Sequence, residues 1–310
     1  MRLRQSTPQD EAEIATLIHA ALSTYYQTHL NDPKFGSDPA PFALFPQLYH
    51  ALDPDCCMVA EDEASGALAG CAFYHPRKTH FGIGIVAAHP RFAGKGVARL
   101  LMEAVLSLAD AAALPARLVS SAMNLASFSL YTRLGFVPYR TFQDITLRVP
   151  ETGLPHPEPL PEWHVRPARA SDLPAIVALE ERLHGVSRLH DYAHFLRNTD
   201  GCWLLDVAEK EGTLVGFLGG VNHPGIRMLG PGASETQAPM AALIHAALNQ
   251  HFRGQEVLWL VPVDAEVLVR QAYAWGGRNV ELHLASMRGS LPNGTGSGGI
   301  SLPTFMPESG

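Results

Sequence analysis

Residues 81–113 read FGIGIVAAHPRFAGKGVARLLMEAVLSLADAAA, and their types and spacing suit the binding of a phosphorylated group. FGIGIVAA is an apolar run of strand length, and HPRFAGKG is a turn holding two glycines and a lysine. Behind the turn, Val97, Leu100, Leu101, Ala104, Val105, Leu108 and Ala112 recur at helical spacing, which predicts a helix packed on the strand. A strand, a glycine-rich turn and a helix N-terminus make an anion site. The first N–H groups of a helix lack partners within it, and the helix dipole adds partial positive charge. Gly94 and Gly96 let a pyrophosphate approach the backbone without meeting a Cβ, and Lys95 adds a charge beside it. Ordinary strand-to-helix turns also carry glycine, so this segment alone leaves both readings open. Two better-known phosphate motifs fail. A P-loop needs glycine where His89 stands and a hydroxyl where Gly96 stands. Gly82-x-Gly84-x-x-Ala87 has dinucleotide spacing but lies inside the apolar run, so a Rossmann oxidoreductase is disfavoured.

Further along, NLASFSLYTRLGF places Asn124 seven residues before Tyr131, with Gly135-Phe136 four beyond it. Together with HPRFAGKGVARLL, this segment resembles the cofactor-binding core of the GCN5-related N-acetyltransferases (GNAT). Their first signature, Arg/Gln-x-x-Gly-x-Gly/Ala, fits Arg91-x-x-Gly94-x-Gly96 literally. The helix phase instead favours Ala93-x-x-Gly96-x-Ala98, in which alanine replaces the Arg/Gln. The resemblance implies that acetyl-CoA is the cosubstrate. It is then held by Val86, Ala87, Ala88, Arg91, Ala93, Gly94, Lys95, Gly96, Val97, Ala98, Asn124, Ser127 and Tyr131, largely through backbone N–H groups. Asn124 would bond the pantetheine arm or nearby backbone, and Tyr131 would act as general acid towards the departing thiolate. Without the family, Tyr131 reads as a core aromatic and Gly135 as a helix C-cap.

The implied reaction is acetyl transfer by direct attack of a primary amine. It needs a base, donors to the thioester carbonyl from the strand's end, and an opening that Gly82 and Gly84 would allow by letting the strand bulge. The run 81–88 holds no carboxylate. His80 and His89 flank it and are the base candidates, each equally a surface or capping histidine. Phe35, Phe42 and Phe45 in the loop 31–46 would contact an acceptor or fill the core. Glu61, Asp62 and Glu63 would attract a cationic amine or form a solvated turn. A non-catalytic coenzyme A sensor or scaffold on the same fold is the alternative, suited by the substituted Arg/Gln position and the missing carboxylate.

The rest of the chain frames this site. Its 310 residues suggest two domains, and 46% hydrophobic residues supply a core for each. The net charge of −7 disfavours nucleic acid as a partner. The cysteines, Cys56, Cys57, Cys71 and Cys202, have neither disulfide-framework nor zinc spacing, so no metal is expected. The polar N-terminus and interrupted apolar runs predict a cytoplasmic protein without membrane spans. The resemblance implies a small-molecule or peptide amine as partner, and a monomer or homodimer is expected.

PETGLPHPEPLP (150–161) has five prolines and reads as an extended linker at 150–162. It divides an N-terminal unit, 1–149, from a C-terminal unit, 163–288, ahead of a Gly/Ser/Pro-rich tail, 289–310. In that tail Ile300, Leu302, Phe305 and Met306 are placed to dock on a surface. The units share a grammar: LRQSTPQD against VRPARASD, paired strands at 59–74 and 206–220, and YTRLGF against YAWGGR. The expected fold is α/β of the α+β type. It comprises two tandem GNAT-like domains, each a mixed, mostly antiparallel sheet flanked by helices. Aligning Tyr131 with Tyr273 sets Gln237 against Gly94, Pro239 against Gly96 and Glu266 against Asn124. The second copy therefore reads as degenerate, since proline removes a donor N–H and no glycine pair remains.

Overall fold

The computed structural model describes residues 1–33, 35–155, 163–291, 294 and 296–305. One series of ten elements runs through the chain twice. The first pass is β1 (Arg2–Gln5), α1 (Glu11–Tyr25), α2 (Leu44–Leu52), β2 (Cys57–Glu61), β3 (Leu68–Pro76), β4 (Phe81–Ala88), α3 (Val97–Ala111), β5 (Ala116–Ser121), α4 (Leu125–Arg133) and β6 (Val137–Arg148). The second is β7 (His164–Pro167), α5 (Leu173–His184), α6 (Leu189–Arg197), β8 (Trp203–Lys210), β9 (Thr213–His223), β10 (Ile226–Ser234), α7 (Gln237–His251), β11 (Glu256–Pro262), α8 (Glu266–Ala274) and β12 (Arg278–Arg288). A last short strand, β13 (Ile300–Leu302), has no counterpart in the first pass.

The repetition extends to side chains. Arg4 pairs with Asp10 and Glu61 ahead of α1, and Arg166 pairs with Asp172 and Glu209 ahead of α5. In both places a carboxylate at the helix entry takes a backbone N–H as well, from Thr7 or Arg169, which satisfies donors the helix cannot. Pro174 stands in the first turn of α5, where its missing N–H costs nothing.

All strands join one mostly antiparallel sheet in the order β1-β2-β3-β4-β5-β12-β6-β11-β10-β9-β8-β7, with β13 added on β10. The two passes exchange their last strands. β12 pairs with β5 from His283↔Ser121 to Arg288↔Ala116. β6 pairs with β11 from Glu256↔Arg148 to Pro262↔Phe142. Neither β5 nor β11 presents a free edge, and the halves cannot part without breaking both ladders.

Helices α1, α2, α5 and α6 cover one face of the sheet. Their core includes Ile14, Leu17, Tyr49, Phe73, Tyr192, Phe195, Phe217 and Leu260. On the other face α3 packs on Ala72, Ile83 and Leu118, while α7 and α8 pack on Leu218, Trp259 and Ile145. Residues Pro150–Pro155 of the expected linker dock on α7, with Leu154 buried and its N–H bonded to Asn249 Oδ1 at 2.7 Å. Its remainder, 156–162, lies outside the described residues, as does Met306. No helix among the described residues is long and apolar enough to cross a membrane.

Candidate active site

Strands β4 and β5 run parallel and pair only at Phe81↔Ala116 and Gly82↔Arg117, then diverge. On the other side of β4 the ladder with β3 passes from Tyr74↔Ile83 to Ala72↔Val86, so Gly84 and Ile85 together oppose Phe73. That extra residue is a β-bulge, which bends the strand away from its neighbour. Beyond it, no strand among the described residues pairs with the edge of β4 that faces β5, and residues 84–86 are partly exposed. Glycine is required at 84 by close approach. A Cβ there would lie 2.8 Å from Tyr49 Cε1 and 3.2 Å from His75 Nε2.

The structure places the sequence candidates around this cleft. Val86, Ala87 and Ala88 follow the bulge along β4. A short turn, Pro90–Phe92, holds Arg91 and is anchored by buried Phe92, over which the Lys95 ammonium sits at 5.1 Å. Ala93 leads to Gly94 and Gly96, both at φ +75°, with no atom within 4 Å of an added Cβ. Their left-handed backbone, in open space, is what favours glycine. Gly96 caps α3, so Val97 and Ala98 supply its first free N–H groups. Opposite, β5 leads into α4, capped by Asn124, whose Oδ1 accepts from Ser127 N at 3.1 Å. Tyr131 lies on α4 beside Phe136. Burial pushes its hydroxyl up to about 12 against a hydrogen bond with Ser127 that works the other way. It therefore stays protonated at neutral pH.

The two histidines proposed from sequence have local partners. His80 is fully buried and meets Thr79 Oγ1 at 3.0 Å. His89 Nδ1 accepts from Arg91 N at 3.1 Å, capping the turn. Burial, then the Arg91 charge, lowers its pKa. Phe35, Phe42 and Phe45 join a packed aromatic row with Tyr26 and His19. Glu61 pairs with Arg2 and Arg4, Glu63 with the N-terminus, and Asp62 caps the turn at Ser65.

On the α1–α2 face the structure assembles groups that the sequence did not single out. His75, fully buried on β3, gives its Nδ1 to Asp53 Oδ2 at 2.5 Å and stacks on Tyr49. Its Nε2 has no hydrogen-bond partner among the described residues. Arg77 bridges Asp53 to Asp191 of α6 through bonds of 2.6–2.9 Å. Burial pushes the Asp53 carboxyl up, yet hydrogen bonds from His75 and Arg77 outweigh it and hold the group at about 2. Near the crossing strands, Asp144, Glu281 and His283 are buried with ligand atoms within 4.8 Å of one another, a metal-sized group. The protein already engages them. His283 Nδ1 meets Asp144 Oδ1 at 2.8 Å, and Glu281 accepts from the Tyr25 and Ser121 hydroxyls.

The second half has the same opening. β10 and β11 pair only at Met228↔Leu258, and β10 bulges between Leu229 and Gly232. Here the edge past the bulge is occupied: β13 pairs Gly232↔Leu302, Ala233↔Ser301 and Ser234↔Ile300. Counted from the bulges, these positions match Val86, Ala87 and Ala88. The glycine turn is missing, because only Glu235 and the cap Thr236 separate β10 from α7. Gln237 and Pro239 thus belong to the first turn of α7 and do not stand opposite Gly94 and Gly96. The sequence alignment also slips by one at α8. Gly276 N bonds to Tyr273 O and Gly277 N to Ala272 O, as Gly135 N does to Thr132 O and Phe136 N to Tyr131 O. The counterpart of Tyr131 is therefore Ala272, and that of Asn124 is Ala265. Tyr273 points outward and donates to Gln143 Oε1.

Residues 19–136 match the family model of the acetyltransferase (GNAT) family. That segment of the first half is similar to the GNAT family. No curated protein matches it significantly. Among solved structures, a Pyrococcus horikoshii protein assigned as an acetyltransferase covers 100% of this chain and 95% of its own, with a TM-score of 0.73 at 14% identity. A GCN5-related N-acetyltransferase from Sphaerobacter thermophilus covers 96% and 97%, with a TM-score of 0.65 at 18% identity. A tandem GNAT protein from the clavulanic acid biosynthesis pathway covers 92% and 97%, with a TM-score of 0.59 at 14% identity. These likenesses extend the GNAT fold over both halves. The family's chemistry is acetyl transfer.

Proposed function

We propose that the protein is an acetyl-CoA-dependent N-acetyltransferase working through its first half, with a primary amine as acceptor. The observation that carries this reading is the open cleft: an unpaired β4 edge runs from the Gly84–Ile85 bulge to a turn held open by Gly94 and Gly96. In this reading the turn and the start of α3 bind the pyrophosphate, and Val86–Ala88 take the pantetheine amides as a strand would. Backbone donors at the bulge polarise the thioester carbonyl. The amine attacks that carbon, the C–S bond breaks, and Tyr131 gives its proton to the departing sulfur. Residues 1–149 form the acetyl-CoA-binding domain. Residues 163–288, joined through 150–162, form a degenerate copy that supports the cleft, and Ile300–Leu302 of the tail 289–310 fill the copy's own opening.

Calorimetric titration of acetyl-CoA into the wild type and Gly96→Glu tests the reading. One site per chain is expected, with affinity reduced at least ~100-fold in the variant, because a carboxylate would face the phosphates from a backbone that disfavours any side chain. Two sites per chain would overturn the degenerate copy. Binding without turnover of any amine would favour a coenzyme A sensor.

A further inference from the structure

We propose that His75 is the general base of the first-half site, held in its basic tautomer by Asp53; the proposal rests on the acetyl-transfer reading above. The path of the cosubstrate carries the argument. From the glycine turn, an extended arm paired along β4 passes Ala88, Ala87 and Val86 in order and brings its acyl end to the bulge. The turn belongs to the α3 side of the sheet, whereas a Cβ on Gly84 would meet Tyr49 and His75 on the α1–α2 side. The acyl group thus arrives on the side where His75 Nε2 lies, 3.2 Å from where a Cβ on residue 84 would stand.

The chemistry of the ring fits. Asp53 accepts from Nδ1, so in the neutral ring Nδ1 carries the hydrogen and Nε2 the lone pair. A buried nitrogen left without a partner implies a missing one, a water or a ligand. Here that partner is the attacking amine, or a single water relaying its proton. As the C–N bond forms and the C–S bond breaks, the amine proton passes to Nε2, and the sulfur takes its proton from Tyr131. Solvent then restores both groups. Asp53 steadies the cationic imidazolium and is a positioning residue. Arg77, locked between Asp53 and Asp191, fixes that carboxylate in turn. Facing the His75–Asp53 pair are Arg77, Asp191, His190, whose Nε2 lies 3.6 Å from Asp53 Oδ1, and the Cys56 thiol, with the Tyr49 ring stacked on His75.

A direct test needs no knowledge of the acceptor. Bromoacetyl-CoA places an alkylating carbon where the acetyl group would lie. Nε2 would form a C–N bond and expel bromide. Peptide mass spectrometry of the wild type should find the adduct on His75, with acetyl-CoA protecting against it and His75→Gln lacking it. Turnover provides the second readout, using the best substrate among putrescine, glucosamine, tyramine and a short peptide. His75→Gln should lower kcat about 10²–10⁴-fold while leaving acetyl-CoA affinity unchanged, and should abolish the acidic limb of the kcat/KM profile. Asp53→Asn should move that limb to lower pH. An unlabelled His75, or a variant within a few-fold of wild type with its limb intact, would overturn the base assignment alone. Failure of acetyl-CoA to bind the wild type would overturn the acetyl-transfer reading beneath it.

Discussion

The two clefts of this molecule share their strand geometry and differ in what lies along it. Each is made by a bulged strand that leaves its parallel neighbour after one or two pairs. In the first, the edge past the bulge is open and leads to the glycine turn. In the second, the edge is paired with β13 and runs almost directly into α7. The side chains diverge in the same direction, Asn124 and Tyr131 against Ala265 and Ala272. The bulge and splay therefore belong to the fold, and they persist where the glycine turn, the asparagine and the tyrosine are absent. A cleft on this sheet is evidence for a cofactor only together with its turn and its donors. Backbone amides cannot be left unpaired in a buried setting, and in the second cleft β13 supplies partners to β10.

The same substitution at the two tyrosines should have unequal effects. Tyr131→Phe should lower kcat by about 10²-fold, at the lower end of what a positioned acid contributes, with acetyl-CoA affinity retained. Tyr273→Phe removes one part-buried hydrogen bond to Gln143 and should leave steady-state turnover within two-fold. Equal effects, measured with the same amine, would mean that the register drawn from the helix ends is wrong or that the thiolate leaves without Tyr131.

How much of this was legible in the sequence depended on range. The strand, turn and helix at 81–111 were legible because strand length, paired glycines and a 3.6-residue apolar repeat are local signals. The duplication was legible as element order, but YTRLGF and YAWGGR align by letters with Tyr273 on Tyr131. Only the hydrogen bonds closing α4 and α8 show the one-residue slip. The exchange of β6 and β12 is a long-range pairing with no local signature. It also hides Glu281 and His283. In β12 the alternating apolar residues Val280 and Leu282 are exposed while Glu281 and His283 are buried, the reverse of an ordinary half-buried strand. His75 sits in the apolar run LAGCAFYHP and reads as a core residue until Asp53 and the Gly84 bulge are seen beside it.

Leu302 sharpens the comparison from the other side. Its side chain is fully buried against the core formed by α7 and β11, and its backbone pairs with Gly232. Leu302→Ala should cost about 2–5 kcal/mol and lower Tm by several degrees. Acetyl-CoA stoichiometry should remain one per chain, since loosening β13 restores an edge but neither the glycine turn nor the tyrosine. A second binding site in the variant would show that the tail alone keeps the second cleft closed.

The smallest expected effect concerns how the tail is latched. His184, at the end of α5, meets Ile300 O through Nε2 at 3.1 Å, and Gly298 N bonds to Leu183 O. Burial pushes the imidazole down to about 4, with the bond to Ile300 opposing and the Arg117, Arg140 and Arg188 charges assisting. The group is thus neutral in the folded protein at pH 7. A folded value below the ordinary one of about 6.5 makes the folded form bind fewer protons than the unfolded chain. Its stabilising contribution is present above about pH 6.5, erodes as the pH falls towards about 4, and is lost below that. Asp53, held at about 2, titrates in a lower window and does not overlap. Thermal melts at pH 7.5 and pH 5 should therefore show a fall in Tm for the wild type that is smaller in His184→Gln. Parallel falls in the two proteins would leave β13 held by its ladder and by Leu302, with no proton-sensitive latch at α5.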